Sequence, residues 1–204
     1  MDRRDAVKYI SVLMGGALIG GDAFMTGCKS NSGKTDWLSA ESVAYLDEIG
    51  ETILPRTKTP GAKDAEVGKF IQVMVNDCYE EGDQKAFKDG MDKLNDASKK
   101  KFDKIFMEVT PEQRKELLIQ IDKEAKDYQK SISEYNKGED VKYNKDMKYV
   151  RQKKSPHYFT MMKQLTMLGY FTSKPALTQA VNYKAVPGKF EGCIPYKKGD
   201  KLFL

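Results

Sequence analysis

Between residues 40 and 171 the apolar positions recur mostly three or four residues apart, the spacing of one face of an α-helix. The first run follows Ser39, a residue type that caps helix N-termini, and ends before Pro55. The second run is the most regular and consists of Val67, Phe70, Ile71, Met74, Val75 and Cys78. This pattern places Cys78 on the buried face, either as a small core hydrophobe or as a disulfide partner.

The middle of the chain is charged but keeps the same periodicity. Residues 83–107 interleave aromatic and aliphatic positions with lysine and aspartate, which predicts one or two helices. Thr110 and Gln113 then form the pattern of a capping box at the start of a long helix, which we expect to end at Gly138. Residues 139–154 are polar and basic and are either a loop or a poor helix.

The last third of the chain predicts one more helix followed by irregular structure. Ser155-Pro156 is expected to cap that helix, whose apolar stripe is Tyr158, Met161, Leu165 and Leu168. Proline and glycine interrupt the chain from Lys174 onward, leaving room for one short helix near residues 176–181. Together these patterns predict an all-α protein: a single small helical domain with an irregular C-terminal tail.

The N-terminal segment has the composition of an export signal. Arg3, Arg4 and Lys8 form a basic head, residues 12–19 an apolar middle, and small residues lead to Cys28. A permanent membrane helix is the alternative, but the apolar run falls short of the roughly 20 residues that span a bilayer. The sequence MTGC at residues 25–28 resembles the lipobox of bacterial lipoproteins, in which the cysteine is acylated.

Two further expectations follow for this segment. Arg3-Arg4 resembles a twin-arginine signal, although Asp2 and Ala6 depart from its usual pattern, so export uses either this route or the general one. We expect residues 1–27 to be removed, residues 28–38 to form a lipid-anchored tether and residues 39–204 to form the domain. The protein is then expected in the bacterial cell envelope, anchored by lipid on the periplasmic side of a membrane.

The formal net charge of +5 belongs to the expected mature chain, because acidic and basic residues balance before position 28. A basic protein often binds nucleic acid, but an export signal argues against that partner. An anionic membrane surface, an acidic partner, or simply a solvated lysine-rich surface fits better. In an oxidising envelope Cys78 and Cys193 can pair with each other or with another chain.

Catalytic motifs are missing from the sequence. The one histidine, His157, has no clustered cysteines or second histidine with which to bind a metal. The glycines between Gly15 and Gly21 do not follow a strand, and neither a phosphate-binding loop nor a C-x-x-C-H haem motif occurs. We therefore expect a binding role, with no cofactor and no catalytic residue in this chain.

Three stretches together resemble one family. ETILPRTKTPGA at residues 51–62 resembles the run ILPRTDTPGA of the gluconate 2-dehydrogenase subunit 3 family. FTMMKQLTMLGYFTS at residues 159–173 resembles that family's LTLLGYYTSE segment. Asn182-Tyr183 and VPGKFEGC at residues 186–193 resemble its Y-x-x-VPG-x-(Y/F)-x-GC ending, and the three motifs occur in the same order.

The resemblance implies an accessory subunit. Its partner would be a large flavoprotein of the glucose–methanol–choline type that carries FAD and oxidises sugars or polyols, with a cytochrome c subunit as a possible next electron carrier. The small subunit would stabilise that flavoprotein and help to export it folded. Docking needs apolar and aromatic anchors, for which the candidates, unless they cover the protein's own core, are Tyr170, Phe171, Tyr183, Phe190, Ile194 and Tyr196.

Two other functions remain open at this point. A free-standing surface lipoprotein that binds a glycan or a membrane surface needs no partner protein. An enzyme in its own right needs acidic side chains brought together by the fold, which leave no local signature in a sequence.

Overall fold

The computed structural model describes residues 37, 39–186, 188–189 and 192–201. These residues form helices α1 (Ala40–Ile53), α2 (Val67–Cys78), α3 (Glu81–Phe102), α4 (Pro111–Lys145) and α5 (Tyr158–Phe171), and a one-turn π-helix, Ala176–Ala180. No strand occurs in the described ranges, which confirms the predicted all-α class. None of the helices found there is long and apolar enough to cross a membrane.

The helix starts follow local sequence signals. The Ser39 hydroxyl accepts a hydrogen bond of 3.2 Å from the N–H of Ser42 and so caps α1. At α4 the Thr110 hydroxyl accepts from the N–H of Gln113, and the Gln113 side chain accepts from the N–H of Thr110. Both predicted caps are confirmed, and so is the short helix near residues 176–181.

Helix α5 lies at the centre of the domain. It packs against all four other α-helices, and its buried residues are Tyr158, Phe159, Met161, Met162, Leu165, Thr166, Gly169 and Tyr170. The close approach of α2 and α3 to α5 depends on two glycines. A Cβ at Gly169 would lie 2.6 Å from the Phe70 ring, and one at Gly90 would collide with the side chain of Tyr158. The broad buried surface explains why the predicted four-residue stripe was too narrow.

Two details of α5 differ from the sequence prediction. Its N-cap is His157 rather than Ser155-Pro156, because the imidazole Nδ1 accepts a hydrogen bond of 3.3 Å from the N–H of Phe159. Leu168 was predicted in the buried stripe and is instead 46% exposed. The helices packed around α5 cover the side that carries Thr166 and Gly169, which leaves Leu168 facing solvent.

Helix α4 is longer than predicted, since Gly138 lies inside it and the helix continues to Lys145. The tertiary cause is Glu139, whose side chain is 2% exposed although it carries a charge. Its carboxylate accepts hydrogen bonds from the ammonium of Lys142, the hydroxyl of Tyr149 and the N–H of Gln152. These bonds fasten the returning chain onto the last turns of α4 and hold them helical.

The prediction that Cys78 is buried is wrong, because its side chain is exposed. Cys78 is the last residue of α2, and the two residues before it are exposed as well. Tyr79, the next residue, packs against the core instead. The apolar face of α2 is therefore covered only as far as Val75 in its last turns.

Candidate docking surface

The α1–α2 loop, residues 54–66, is held by a carboxylate at the end of α1. Glu51 accepts hydrogen bonds from the backbone N–H of Arg56 at 2.7 Å and from the backbone N–H of Lys63 at 3.0 Å. Bonds from backbone N–H groups to an ionised acceptor are stronger than those between neutral groups. One side chain thus fixes both limbs of the loop.

A second carboxylate fixes the tip of the same loop. Asp64 accepts from the N–H of Gly61 at 2.8 Å and from the guanidinium of Arg56 at 3.1 Å. A Cβ at Gly61 would collide with the Glu51 carboxylate and lie 2.7 Å from the backbone nitrogen of Arg56. Only glycine fits there, which gives the Pro-Gly-Ala run of this loop a steric cause.

The loop is joined to the C-terminal end of α5. The hydroxyl of Tyr170 donates a buried hydrogen bond of 2.8 Å to the carbonyl of Pro60. The Phe171 ring lies edge-on to the Tyr170 ring, with centroids 5.1 Å apart, and packs against the core. Tyr170 was a candidate either for contact with a partner or for the protein's own core, and at 5% exposed it lies in the core.

Beside this junction lies a polar cleft of about 280 Å³ between the loop and the π-helix, lined by Arg56, Thr57, Lys58, Thr59, Pro60, Asp64, Pro175 and Gln179. The Arg56 side chain is 72% exposed even though it is paired with Asp64. Hydroxyl, guanidinium and ammonium donors therefore face solvent around the rim. This arrangement suits polar contacts with another surface.

The C-terminal tail carries the apolar part of the candidate surface. Tyr183 is 52% exposed, Ile194 47% and Tyr196 64%, and Val186, which the sequence reasoning missed, is 85% exposed. Phe190, the remaining candidate, lies outside the described residues. Tyr183, Ile194 and Tyr196 therefore stay candidates for contact with a partner.

The structure describes two of the three cysteines but not the residues of the N-terminal signal. Cys78 and Cys193 are both free and exposed in the structure, so each thiol is accessible to a disulfide partner. Their pairing, with each other or with another chain, stays a prediction. The lipidation site Cys28 and the export-signal residues Arg3, Arg4 and Lys8 lie outside the described residues.

His157 has a structural role at the start of α5. Its Nδ1 accepts from the N–H of Phe159, so the proton of the neutral ring is on Nε2. Burial lowers the pKa of His157, which favours this neutral form. Its ring lies 4.3 Å from that of Tyr158 and 5.6 Å from that of Tyr128, within an aromatic group at the base of α5.

A cleft of about 580 Å³ separates α3 from α4 and is lined by Lys93, Ala97, Lys100, Lys101, Leu117, Gln120, Ile121, Glu124, His157 and Tyr158. Its single carboxylate and its capping imidazole do not form a nucleophile–base pair. Within the part of the chain that the structure describes, no group of three or more His, Cys, Asp and Glu side chains can hold a metal ion.

A nearly buried ion pair between Arg114 and Glu48 holds the α1–α2 loop of the candidate surface in place. The Arg114 guanidinium pairs with Glu48 and donates to the carbonyls of Phe106 at 3.0 Å and Met107 at 2.8 Å. Glu48 also pairs with Lys63 of the α1–α2 loop, so one carboxylate joins α1, this loop and α4. The sequence reasoning missed this pair, because the two residues lie 66 positions apart and neither belongs to a local pattern.

Comparison with known proteins gives one match. A family model described as Gluconate 2-dehydrogenase subunit 3 matches residues 40–188, which is more than half of the chain. The matched range contains the α1–α2 loop, α5 and the beginning of the tail. Searches of curated proteins and of solved structures give no match.

Proposed function

The chain belongs to the gluconate 2-dehydrogenase subunit 3 family, and we propose that it is the non-catalytic small subunit of a flavin-dependent sugar or polyol dehydrogenase. Its partner is a large flavoprotein of the glucose–methanol–choline type, which carries the FAD and the chemistry. A cytochrome c subunit takes the electrons onward. The small subunit binds and stabilises the flavoprotein and takes part in its export.

One observation supports docking through the C-terminal face. The domain closes its core around α5, yet Tyr183, Ile194 and Tyr196 remain about half exposed or more, on a tail without long elements. Lys197 and Asp200 hydrogen-bond to each other, and among the described residues neither of them bonds to the helical domain. Aromatic side chains placed this way are the usual anchors of protein interfaces.

The α1–α2 loop supplies a polar rim to the same proposal. Arg56, Lys58 and the threonines of the loop surround an open cleft next to the π-helix. Because Glu51 and Asp64 fix the loop, its backbone loses little conformational freedom when a partner binds. Exposed apolar side chains on the tail and polar donors on a rigid loop are the two kinds of residue that form the core and the rim of an interface.

Export and anchoring form part of the proposal and rest on the sequence of residues 1–28. Acylation of Cys28 would place the small subunit on the periplasmic side of a membrane, and the Arg3-Arg4 pair would direct a folded complex to the twin-arginine route. A flavoprotein that takes up FAD before export has to cross the membrane folded. Mass spectrometry of the mature N-terminus tests this part separately: acylated Cys28 is expected, and an intact residue 1 contradicts it.

Affinity purification of the full chain from its own cells tests the central claim. We expect a co-purifying large subunit whose visible absorbance shows bound flavin. The triple variant Tyr183→Ala, Ile194→Ala, Tyr196→Ala should lose most of that flavin. The matched control, Val73→Ala with Ile119→Ala, removes side chains that are 55% and 62% exposed on α2 and α4 and should retain it.

Three other results of this purification would contradict the proposal or part of it. A stable monomer that binds a glycan and brings down no flavoprotein would favour a free-standing surface lipoprotein. Flavin or sugar turnover in the purified chain alone would contradict the non-catalytic assignment. Equal flavin recovery in the triple variant and the control would move the docking site away from the tail.

A further inference from the structure

The end of α4 and the chain that returns along it form a projecting element, here called the arm (residues 137–154). Two hydrogen bonds close its base: the Asn136 amide donates to the carbonyl of Lys154 at 3.3 Å and accepts from its N–H at 3.1 Å. A helix of 35 residues is about 50 Å long, whereas 14 residues give α5 about 20 Å. The chain before α5 runs along α4, with Ser155 bonded to Tyr128 and Lys154 to Asn136, so the last turns of α4 lie beyond the start of α5 at Tyr158.

The arm concentrates the positive charge of the chain. It holds seven lysine and arginine residues against three acidic ones, a formal +4 out of +5 for the whole sequence. Two of the acids are neutralised within the arm, Glu139 by Lys142 and Asp140 by Arg151 and Lys153. Among the described residues, no carboxylate lies within ion-pair distance of the side chains of Lys137, Lys145 and Lys148.

The same element exposes aliphatic side chains. Met147 is 77% exposed, Val150 74% and Val141 52%. In contrast, the arm's aromatic rings are engaged: Arg151 lies over Tyr143 at 4.3 Å, and the Tyr149 hydroxyl bonds Glu139. Uncovered aliphatic groups among unpaired cations are the composition of a surface that enters the interfacial region of a bilayer.

The geometry points to the arm as a binding site for the surface of an anionic phospholipid membrane. Lysines would lie at the headgroups while Met147 and Val150 enter the boundary with the acyl chains. An acidic protein face is the competing occupant. Protein interfaces centre on aromatic or arginine anchors in closed pockets, and the arm offers isolated aliphatic groups on a projecting end. The positive charge and the exposed aliphatic groups of the arm therefore favour an anionic membrane over an acidic protein as its binding partner. This inference does not depend on the function proposed above.

Vesicle binding by the full-length protein tests this inference. Phosphatidylcholine vesicles containing phosphatidylglycerol should bind the protein more tightly than pure phosphatidylcholine vesicles, and added salt should weaken the difference. Lys145→Glu with Lys148→Glu should reduce binding to the anionic vesicles by at least about tenfold, since one lysine near such a surface contributes about fivefold. Lys85→Glu with Lys123→Glu, exposed on α3 and α4, changes the net charge equally and should retain wild-type binding.

A second variant distinguishes the insertion of apolar side chains into the bilayer from the electrostatic attraction of the lysines. Met147→Ser with Val150→Ser leaves every charge in place and should weaken binding to the anionic vesicles without changing its salt dependence. Far-UV circular dichroism of all variants checks that the helices persist. The N-terminal segment is the same in every variant, so differences between them report on the arm.

Two results would overturn the inference. One is equal binding of anionic vesicles by the wild type and the Lys145→Glu, Lys148→Glu variant, and the other is an equal loss of affinity in the Lys85→Glu, Lys123→Glu control. If the arm variant keeps its vesicle affinity but loses a co-purifying acidic subunit, the arm binds protein and not lipid.

Discussion

The Tyr170 hydroxyl donates a 2.8 Å hydrogen bond to the carbonyl of Pro60, which lies 110 positions earlier in the chain. The bond is buried and joins the end of α5 to the α1–α2 loop. Pro60 has no N–H of its own, so its carbonyl is the only backbone polar group through which this residue can be fixed. The position of the loop therefore depends on a side chain of the core.

Replacing Tyr170 with phenylalanine should lower the free energy of unfolding by about 1–2 kcal/mol, because the buried carbonyl of Pro60 then loses its donor. Urea denaturation followed by circular dichroism measures the change. Tyr183→Phe is the matched control, since that side chain is exposed and the loss should stay within about 0.5 kcal/mol. Equal effects in the two variants would contradict the role given to the Tyr170–Pro60 bond.

The Arg114 guanidinium makes contacts that an ammonium cannot reproduce. It pairs with Glu48 and donates to two carbonyls with separate nitrogens, and its side chain is only 11% exposed. Arg114→Lys should therefore lower the free energy of unfolding by about 1–3 kcal/mol. Arg56→Lys, at a side chain that is 72% exposed, should change it by about 0.5 kcal/mol or less. A smaller loss for Arg114→Lys than for Arg56→Lys would rule out this account.

The carboxylate of Glu139 gives the arm a pH dependence. Hydrogen bonding to the Lys142 ammonium, and then to Gln152 and Tyr149, lowers the pKa of Glu139 from its ordinary 4.5 to about 2. A group with a lowered folded-state pKa stabilises the fold above its unfolded value, and that stabilisation is lost as pH falls between about 4.5 and about 2. The stability difference between the wild type and Glu139→Gln should be present at neutral pH and shrink through this range.

The protonation of Glu139 can also be followed at the backbone amide of Gln152. The N–H of Gln152 donates to Glu139 at 2.8 Å, so its amide proton resonance should shift as the carboxylate is protonated. Glu134→Gln, at an exposed glutamate on the same helix, is the control and should leave the Gln152 titration unchanged. If Gln152 shows no pH-dependent shift below about 4.5, the Glu139 contacts do not persist in solution.

Two helical glycines should respond oppositely to alanine. A Cβ at Gly138 meets nothing within 4 Å, so Gly138→Ala should stabilise α4 by about 0.5–1 kcal/mol through helix propensity. A Cβ at Gly90 would collide with Tyr158, so Gly90→Ala should destabilise by about 1–3 kcal/mol despite the same propensity gain. Thermal unfolding of both variants measures the two signs, and equal signs would contradict the packing of α3 on α5.

Local signals explain which parts of the fold the sequence predicted. Ser39 and Thr110 cap their helices through atoms only three residues away, so their pattern is complete in the sequence itself. Gly138 failed as a helix end because its effect is outweighed by Glu139, which binds a chain segment up to 13 positions further on. That segment has no apolar periodicity to indicate that it packs against α4.

The sequence likewise predicted only part of the candidate surface. Tyr183, Ile194 and Tyr196 were identified because broken structure leaves large side chains uncovered, and they are exposed. For Tyr170 the sequence left a partner contact and the protein's own core both open, since a tyrosine at the end of a helix gives no local sign that its hydroxyl has a partner 110 positions away. Val186 was overlooked as an anchor because a single valine between Ala185 and Pro187 has no periodic pattern.

The central position of α5 has a consequence for synthesis. Every earlier helix packs against a segment near the C-terminal end, so translation has to pass residue 171 before the ribosome releases the element around which they close. Until then α1 to α4 expose the apolar residues that α5 later covers, which makes the nascent chain a substrate for chaperones. Closure of the core around α5, rather than stepwise addition of one helix to the next, is the order that this topology imposes.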